Sequence, residues 1–197
     1  STWGRDGNLK FWRRNNAPTS RDFQIPVGAI LRNAPGQPGC LWIAGPNEIQ
    51  LHDIKQNVRR HRIPVPTSPL TAIEATNKQV ILGDADGGIR ICDLTVDRFE
   101  LSARFPLTDT AIVALAIHPS SQDLATVDDR GMLSLWSWKS SPPQYKRSIQ
   151  LKPSDSRSLA FSPDGRFLAA TAGGQGVRIL ESESFEAVAH PSLVAGD

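Results

Sequence analysis

The pattern of apolar and polar positions along the chain predicts short β-strands. The clearest example has two half-apolar runs, 158–162 and 167–171, separated by a Pro-Asp-Gly turn at 163–165. Proline presets φ, aspartate accepts hydrogen bonds, and glycine is free to adopt a positive φ, so this tripeptide favours a hairpin. A third run at 177–180 alternates apolar and polar residues after a glycine-rich turn. These features together predict a three-stranded antiparallel meander.

The same pattern recurs along the whole chain. In each copy, two apolar residues two positions apart are followed at once by an anchor residue, and turn residues precede them. Two further runs upstream and a more polar run downstream, such as 99–105 in the third unit and 186–190 in the fifth, complete four predicted strands per unit. The anchors, spaced by 40, 40, 44 and 44 residues, are Trp12, His52, Cys92, Trp136 and Leu180. Four strands in each such period is typical of a propeller blade.

We therefore predict an all-β fold, a β-propeller of four-stranded antiparallel blades, with residues 1–197 forming a single segment. The first of five units supplies only part of its strands, and the other four are complete. Since closed propellers have about four to eight blades, we expect an incomplete ring, the C-terminal part of a larger propeller. A small closed ring stays open as the alternative. The units span approximately 1–27, 28–66, 67–107, 108–152 and 153–191.

Two stretches carry a resemblance to a known family. Residues 159–169, Leu-Ala-Phe-Ser-Pro-Asp-Gly-Arg-Phe-Leu-Ala, resemble the first hairpin of the WD-repeat β-propellers. Residues 3–12, Trp-Gly-Arg-Asp-Gly-Asn-Leu-Lys-Phe-Trp, resemble the second hairpin of that family, and 84–93 and 117–121 repeat the pattern more loosely. The resemblance implies a propeller over nearly the whole chain. It implies no single activity, because propellers host many unrelated tasks.

The chain departs from the family pattern at its hydrogen-bonding residues. It has no Gly-His pair, and no Trp-Asp pair is intact. Asp86 keeps the expected spacing of six residues before the anchor Cys92, and Asp129 lies seven residues before Trp136. We therefore expect the rigidity of the blades to come mostly from apolar packing.

Composition narrows the classes of partner. The 22 basic and 20 acidic residues leave a net charge of +2, too small for an overall field that attracts nucleic acid or anionic membranes. The longest apolar run, 111–117, is far shorter than the roughly 18 to 20 residues of a spanning helix. Cys40 and Cys92 lie in apolar runs without metal-site spacing, which favours buried thiols in a reducing, cytoplasmic compartment.

No arrangement of residues indicates catalysis. Each of the four histidines is explained by its place in the repeat, and no fixed Ser or Cys partner accompanies them. The glycine-rich segment 173–176 precedes a strand, unlike a phosphate loop, and 84–88 lacks the later glutamate of a calcium loop. We therefore predict no enzyme activity, no cofactor and no metal site.

The loops between units and the turns before each third strand should share one face. In proteins that this sequence resembles, that face is a frequent partner platform. Its aspartates would make the face locally acidic, so we expect it to bind a basic or polar peptide. The predicted contact residues are Asp84, Asp109, Asp128, Asp155 and Arg157.

A second candidate surface is a basic patch on the outermost strand of the second unit. It consists of Arg59, Arg60 and Arg62. Charge at such an edge also prevents edge-to-edge aggregation, so a protective role and the docking of an acidic partner or a nucleic-acid backbone both stay open. Trp138 lies two residues after an anchor. Two roles stay open for it as well, packing in the core and an exposed contact with a partner.

The function predicted is a non-enzymatic WD-repeat scaffold that mediates protein–protein interaction. The alternative is a sensor or regulatory propeller domain of a larger signalling enzyme, such as an NTPase, kinase or protease, whose catalytic part is absent from this sequence. We expect a protein or peptide partner and association with the missing blades or another chain. We expect neither a membrane nor nucleic acid as a partner.

Overall fold

The structure is a computed structural model, and it describes most of the chain from Gly28 to Val188 and three short segments before it. The described residues form nineteen strands and no helix, which confirms the all-β prediction. None of them belongs to a helix that could cross a membrane. The described ranges are 2–3, 8–10, 22–26, 28–65, 68–94, 99–102, 104–121, 123–138, 142–151, 158–171 and 176–188.

The strands form five antiparallel sheets, and strands that follow one another in the chain pair with each other. The first sheet has β1 (Thr2–Trp3), β2 (Asn8–Lys10) and β3 (Asp22–Gln24). The second has β4 (Ile30–Asn33), β5 (Cys40–Ala44), β6 (Glu48–Asp53) and β7 (Val58–Pro64). The third has β8 (Leu70–Ala75), β9 (Gln79–Asp84), β10 (Gly88–Leu94), β11 (Phe99–Leu101) and β12 (Phe105–Pro106).

The fourth and fifth sheets continue this order. The fourth has β13 (Ile112–Ile117), β14 (Asp123–Asp128), β15 (Met132–Ser137) and β16 (Gln144–Gln150). The fifth has β17 (Leu159–Phe161), β18 (Phe167–Thr171) and β19 (Val177–Glu181). The meander predicted around the Pro-Asp-Gly turn is therefore confirmed.

Two sheets differ from the predicted strand pattern. The outer strand of the third sheet is split into β11 and β12, which both pair with β10. In the fifth sheet, the described part of the predicted strand 186–190 forms an isolated bridge between Leu180 and Ala187 instead of a strand. The chain reaches this edge through a turn in which Phe185 adopts a φ of 62° and is buried, so the pairing begins only after the turn.

The first strands of the second to fifth sheets adjoin one another in chain order. Side chains from all four strands, β4, β8, β13 and β17, line one channel. This is the placement of the innermost strands in a propeller. Hydrogen bonds join neighbouring sheets here, since Arg32 Nε donates to Ile73 O at 3.0 Å and Thr71 Oγ1 donates to Ile112 O at 2.6 Å.

The apolar core lies between successive sheets. Trp42 and Leu51 of the second sheet pack with Ile73 and Leu82 of the third. A second cluster joins the third and fourth sheets through Ile81, Ile89, Ile112, Leu115 and Leu124. A third, which joins the fourth and fifth sheets, includes Leu133, Leu135, Leu159, Leu168 and Leu180. The third and fourth sheets therefore bury both of their faces, so their ends and outer edges are the surfaces left for partners.

Candidate protein-interaction surfaces

One end of the sheets carries the turns before the third strands and the loops that join one sheet to the next. We call this end the upper face, and its described parts include 84–88, 107–111 and 128–131. Thr108 N donates to Gly87 O at 3.0 Å, and Asp129 N donates to Ala111 O at 2.9 Å. The loop between the third and fourth sheets is therefore held against the turns of both sheets.

Asp84 lies inside the upper turn of the third sheet and is only 3% exposed. Its Oδ1 accepts hydrogen bonds from the N–H groups of Asp86 and Gly88, at 3.0 and 2.8 Å. Arg104 donates from Nε to Oδ2 at 2.6 Å and from Nη2 to Oδ1 at 2.9 Å. Burial alone would raise the pKa of Asp84, but the hydrogen bonds from Arg104 and the backbone outweigh it and lower the pKa. The negative charge of Asp84 is therefore neutralised by Arg104 within the same sheet.

Asp128 has the matching place in the fourth sheet and is 6% exposed. Its Oδ1 accepts a hydrogen bond from Met132 N at 2.8 Å. The aspartates that close these turns therefore lie eight residues before the anchors Cys92 and Trp136. The spacing of six or seven residues had pointed to Asp86 and Asp129 instead.

Asp109 is the predicted upper-face residue that the structure places in solvent. Its side chain is 78% exposed, and that of its partner Arg130 is 64% exposed. Arg130 Nη1 donates to the two carboxylate oxygens of Asp109 at 3.1 and 3.3 Å. The remaining two predicted contacts, Asp155 and Arg157, lie outside the described residues. Partner binding by this set of residues stays a prediction.

The predicted basic patch lies on the exposed outer strand β7. Arg60 forms an ion pair with Asp53, and Arg62 forms one with Glu48. Hydrogen bonds from Gln50 and Arg62 lower the pKa of Glu48. Two of the three arginines thus neutralise carboxylates of their own sheet, and Arg59 is exposed. Docking of an acidic partner on this strand also stays a prediction.

A groove opens at the opposite end, the lower face, between the third and fourth sheets. This lower groove has a volume of about 790 Å³. Its lining residues from the third sheet are mostly polar, and those from the fourth sheet are mostly apolar. The polar wall consists of Thr76, Asn77, Lys78, Gln79 and Asp93, with Ile81 and Leu94 beside them. The opposite wall consists of Ile117, His118, Pro119, Asp123, Leu124 and Trp138.

The polar wall is shaped by a tight turn. Thr76 Oγ1 accepts hydrogen bonds from Lys78 N at 3.2 Å and Gln79 N at 2.9 Å. Gln79 Nε2 donates to Asp93 Oδ1 at 2.7 Å. The side chain of Lys78 is exposed and forms no ion pair with any described residue. The polar wall therefore carries one exposed cation, Lys78, and one exposed carboxylate, Asp93.

Most polar groups of the apolar wall are bonded within the protein, but Asp123 Oδ1 is buried without a hydrogen-bond partner among the described residues. His118 Nε2 donates to Gly165 O of the fifth sheet at 2.9 Å, and His118 Nδ1 accepts from Ser121 N at 3.1 Å. Lys146 Nζ donates to Asp123 Oδ2 at 2.7 Å. What this wall offers to a partner is therefore mainly the half-buried Ile117 and Trp138.

The two cysteines and the metal-ligand residues add little to these surfaces. Cys40 and Cys92 are both free and buried. Burial raises the pKa of the Cys92 thiol to about 12, so it is protonated at neutral pH. Within the described ranges, no three His, Cys, Asp or Glu residues are grouped so that they could hold a metal ion.

Comparison with known proteins gives one distant relative to report. No family model matches the chain. The chain is similar to Protein LST8 homolog of Drosophila melanogaster, with 29% identity over 112 residues. The match covers 54% of this chain and 35% of that protein, so it spans about a third of the relative's length. LST8 is a WD-repeat protein, and the match and the antiparallel sheets together fit a WD-repeat β-propeller.

The sequence reasoning missed the lower groove. The polar wall comes from the first turn of the third sheet, and the apolar wall comes from the first turn and the third strand of the fourth. These segments are far apart in sequence, and no motif joins them. The feature of the sequence that could have indicated the groove was Trp138, an aromatic residue two positions beyond the anchor Trp136 of its repeat. The structure places it half-buried in the groove wall.

Proposed function

We propose that this chain is a WD-repeat scaffold that mediates protein–protein interaction and does not itself catalyse a reaction. The observation that carries the proposal is the construction of the upper face. There, hydrogen bonds hold the loop between the third and fourth sheets against two turns, as Thr108 N and Asp129 N show. A loop fixed in this way loses little conformational freedom when a partner binds.

The chemistry of the upper face supports a polar or basic partner segment. Because Asp84 and Asp128 are buried in their turns, they stabilise the face and leave recognition to exposed groups. Asp109 is an exposed carboxylate of the described loops, as are Asp86 and Asp129, and Arg130 donates to it directly at the exposed surface. A basic group of a partner can share Asp109 with Arg130, and rim charges of this kind affect association rate and partner choice more than affinity. The distant similarity to a WD-repeat protein supports the same class of function.

The proposal is tested in two steps. Proximity labelling in cells identifies candidate partners, and each candidate is then mixed with the purified chain and analysed by size-exclusion chromatography with light scattering. We expect at least one candidate to form a complex of defined stoichiometry. Asp109→Arg should slow its association several-fold, because an exposed charge changes sign. Failure of every purified candidate to form a complex would refute the proposal.

The matched control is Arg59→Glu, which reverses an exposed charge on the outer strand β7. It should leave the association rate unchanged if the upper face is the binding surface. If Arg59→Glu weakens the complex and Asp109→Arg does not, the partner binds the outer edge and the upper-face assignment is wrong.

A further inference from the structure

We propose that the uncovered face of the fifth sheet binds a further β-sheet of the same repeat type, formed by residues outside this 197-residue sequence. We call this surface the open face. It is the side of β17, β18 and β19 that is turned away from the fourth sheet, and its described residues include Ala160, Ala169, Thr171, Val177, Ile179 and Glu181. The inference rests on the proposed function in one respect, since it takes the chain to bind a protein segment. It concerns a surface distinct from the upper face, and it names the kind of partner that fits there.

The open face corresponds, position by position, to a buried face of the fourth sheet. In the fourth sheet, one row of cross-strand neighbours consists of Ala116, Ala125 and Leu135. These residues are at most 5% exposed, and they belong to the cluster that the fifth sheet completes. The row that lies 44 residues later consists of Ala160, Ala169 and Ile179. Ala160 is exposed and the other two are half-buried, so the equivalent row in the fifth sheet is uncovered.

A second row gives the same result at the upper end of the open face. Val127 and Leu133 are buried in the fourth sheet, whereas Val177, 44 residues after Leu133, is 42% exposed. The charged residue among the described residues of this face is Glu181, at its lower end, which accepts a hydrogen bond from Ser184 Oγ at 3.3 Å. The middle and upper parts of the face are therefore shaped for apolar packing.

The residues that cover the equivalent faces show what kind of partner fits. Leu115 and Leu124 of the fourth sheet share a buried cluster with Ala72, Ile81 and Ile89 of the third sheet. At the next junction, Leu159, Leu168 and Leu180 of the fifth sheet share a cluster with the small-residue face of the fourth. The first two of these leucines lie 44 residues after Leu115 and Leu124, so the same positions supply the cover each time. A sheet that continues this series of interfaces brings large apolar side chains at these positions to the open face.

A second copy of this chain matches the open face poorly. The fifth sheet of a second copy would present the same small residues, whereas each junction in this chain packs small residues of one sheet against large residues of the next. The described part of the first sheet consists of β1, β2 and β3 and contains no counterpart of the inner strand β17. It therefore offers no described equivalent of Leu159.

The experiment is site-specific photocrosslinking in cells that express the full natural polypeptide. A photoreactive benzoylphenylalanine replaces Val177 in one variant and Val58, the exposed valine of β7, in the matched control. We expect a crosslink from position 177, and its loss when the probe is moved to position 58. Mass spectrometry of the crosslinked peptide should identify a segment that has the repeat pattern of two apolar residues followed by an anchor.

A second substitution tests the packing directly. Ala169→Glu, combined with the probe at position 177, places a carboxylate in the middle of the open face. It should lower the crosslinking yield at least about tenfold, because docking would bury an unpaired charge. Val58→Glu, the charge-matched control, should leave the yield unchanged. Circular dichroism and thermal melting of the purified chain establish that each variant is folded, and if Ala169→Glu is not, the exposed Ala160→Glu takes its place.

Four crosslinking results would overturn the inference. They are a yield at position 177 no higher than at position 58, a crosslink to residues 189–197 of the same chain, a crosslink between two differently tagged copies, and a crosslink to a segment without the repeat pattern. An unchanged yield in a folded Ala169→Glu or Ala160→Glu variant would also overturn it. None of these outcomes affects the complexes tested through Asp109→Arg on the upper face, so failure here is distinguishable from failure of the proposed function.

Discussion

The third and fourth sheets have the same order of first, second and third strands, yet different polar contacts hold their upper turns. In the third sheet, Asp84 is bonded by Arg104, and the anchor is the buried thiol of Cys92. In the fourth, Asp128 forms no ion pair with a residue that the structure describes, and the anchor Trp136 donates from Nε1 to Thr126 Oγ1 at 3.0 Å. The third sheet therefore has an ion pair at its upper turn, whereas the fourth sheet has a hydrogen bond at its anchor.

This difference shows how a repeat keeps its shape while its residues change. The third sheet replaces the hydrogen bond of a tryptophan anchor with a guanidinium–carboxylate pair at the turn. The fourth keeps the tryptophan and leaves its turn aspartate with a backbone donor. Either contact fixes one end of its sheet. Substitution of the turn aspartate should therefore cost more stability than substitution of the anchor in the third sheet, and less in the fourth.

The largest expected effect is that of Asp84→Ala. It removes a nearly buried carboxylate from Arg104, which is itself only 26% exposed, and it also frees two backbone donors. We expect a loss of about 3 kcal/mol in the free energy of unfolding, measured by urea denaturation. Asp128→Ala, the matched change in the fourth sheet, should cost about 1 to 2 kcal/mol. Equal losses would contradict the claim that the ion pair distinguishes the two sheets.

The next effect concerns the contact between the upper turn of the third sheet and the loop that follows. Gly87 has a φ of 76°, and a methyl group on its Cα would overlap the carbonyl oxygen of Thr108. Gly87→Ala should therefore lower the free energy of unfolding by about 2 to 3 kcal/mol, through left-handed strain and displacement of the loop. Thermal melting checks this. A melting temperature equal to that of the unsubstituted protein would show that the loop is not held by this turn.

A double-mutant cycle measures the contact that the fourth sheet has in place of the ion pair. Trp136→Phe removes the indole donor, and Thr126→Val removes its acceptor, whose residue is 1% exposed. We expect a coupling free energy of about 1 kcal/mol between the two positions. The same cycle applied to Trp136 and Asp128 should give a smaller coupling, and a larger one would mean that the turn and the anchor act as a unit.

The smallest expected effect is on pH dependence. The pKa of Asp84 is lower in the folded protein than its ordinary value of 3.8, so its contribution to stability is present above about pH 4 and is lost as the pH falls through the lowered value. Burial raises the pKa of Glu74, whose contribution has the opposite sign. The stability advantage of the wild type over Asp84→Asn should therefore shrink as the pH falls from 5 to about 3. Urea denaturation at several pH values measures it, with Glu74→Gln as the control of opposite sign.

Most of the fold could be predicted because the strand pattern is local. Alternating apolar residues before anchors such as Trp136, together with turn residues such as Gly165, were enough to find the sheets. A strand was predicted at 186–190 from its composition, but the described part of this run forms only a bridge at Ala187. The run follows a turn that buries Phe185, and this turn delays its pairing with the sheet. Composition alone does not show where a chain joins a sheet edge.

The candidate sites were less predictable, since they depend on which groups neutralise one another. The positions of Asp84 and Asp128 in the sequence predicted an acidic upper face. Their burial in turns depends on contacts with distant residues, such as Arg104, which is twenty positions from Asp84. The groove near Lys78 and Trp138 depends on the packing of two sheets. Neither property is visible in the spacing of residues within one repeat.

Arg32 has a further consequence for the channel between the first strands. Its side chain lines both the upper and the lower part of the channel, donates to Ile73 O and lies 3.5 Å from Glu74. A solute moving along the channel would have to pass the Arg32 side chain and separate it from the half-buried carboxylate of Glu74. Through these two contacts, Arg32 links the innermost strand of the second sheet to that of the third.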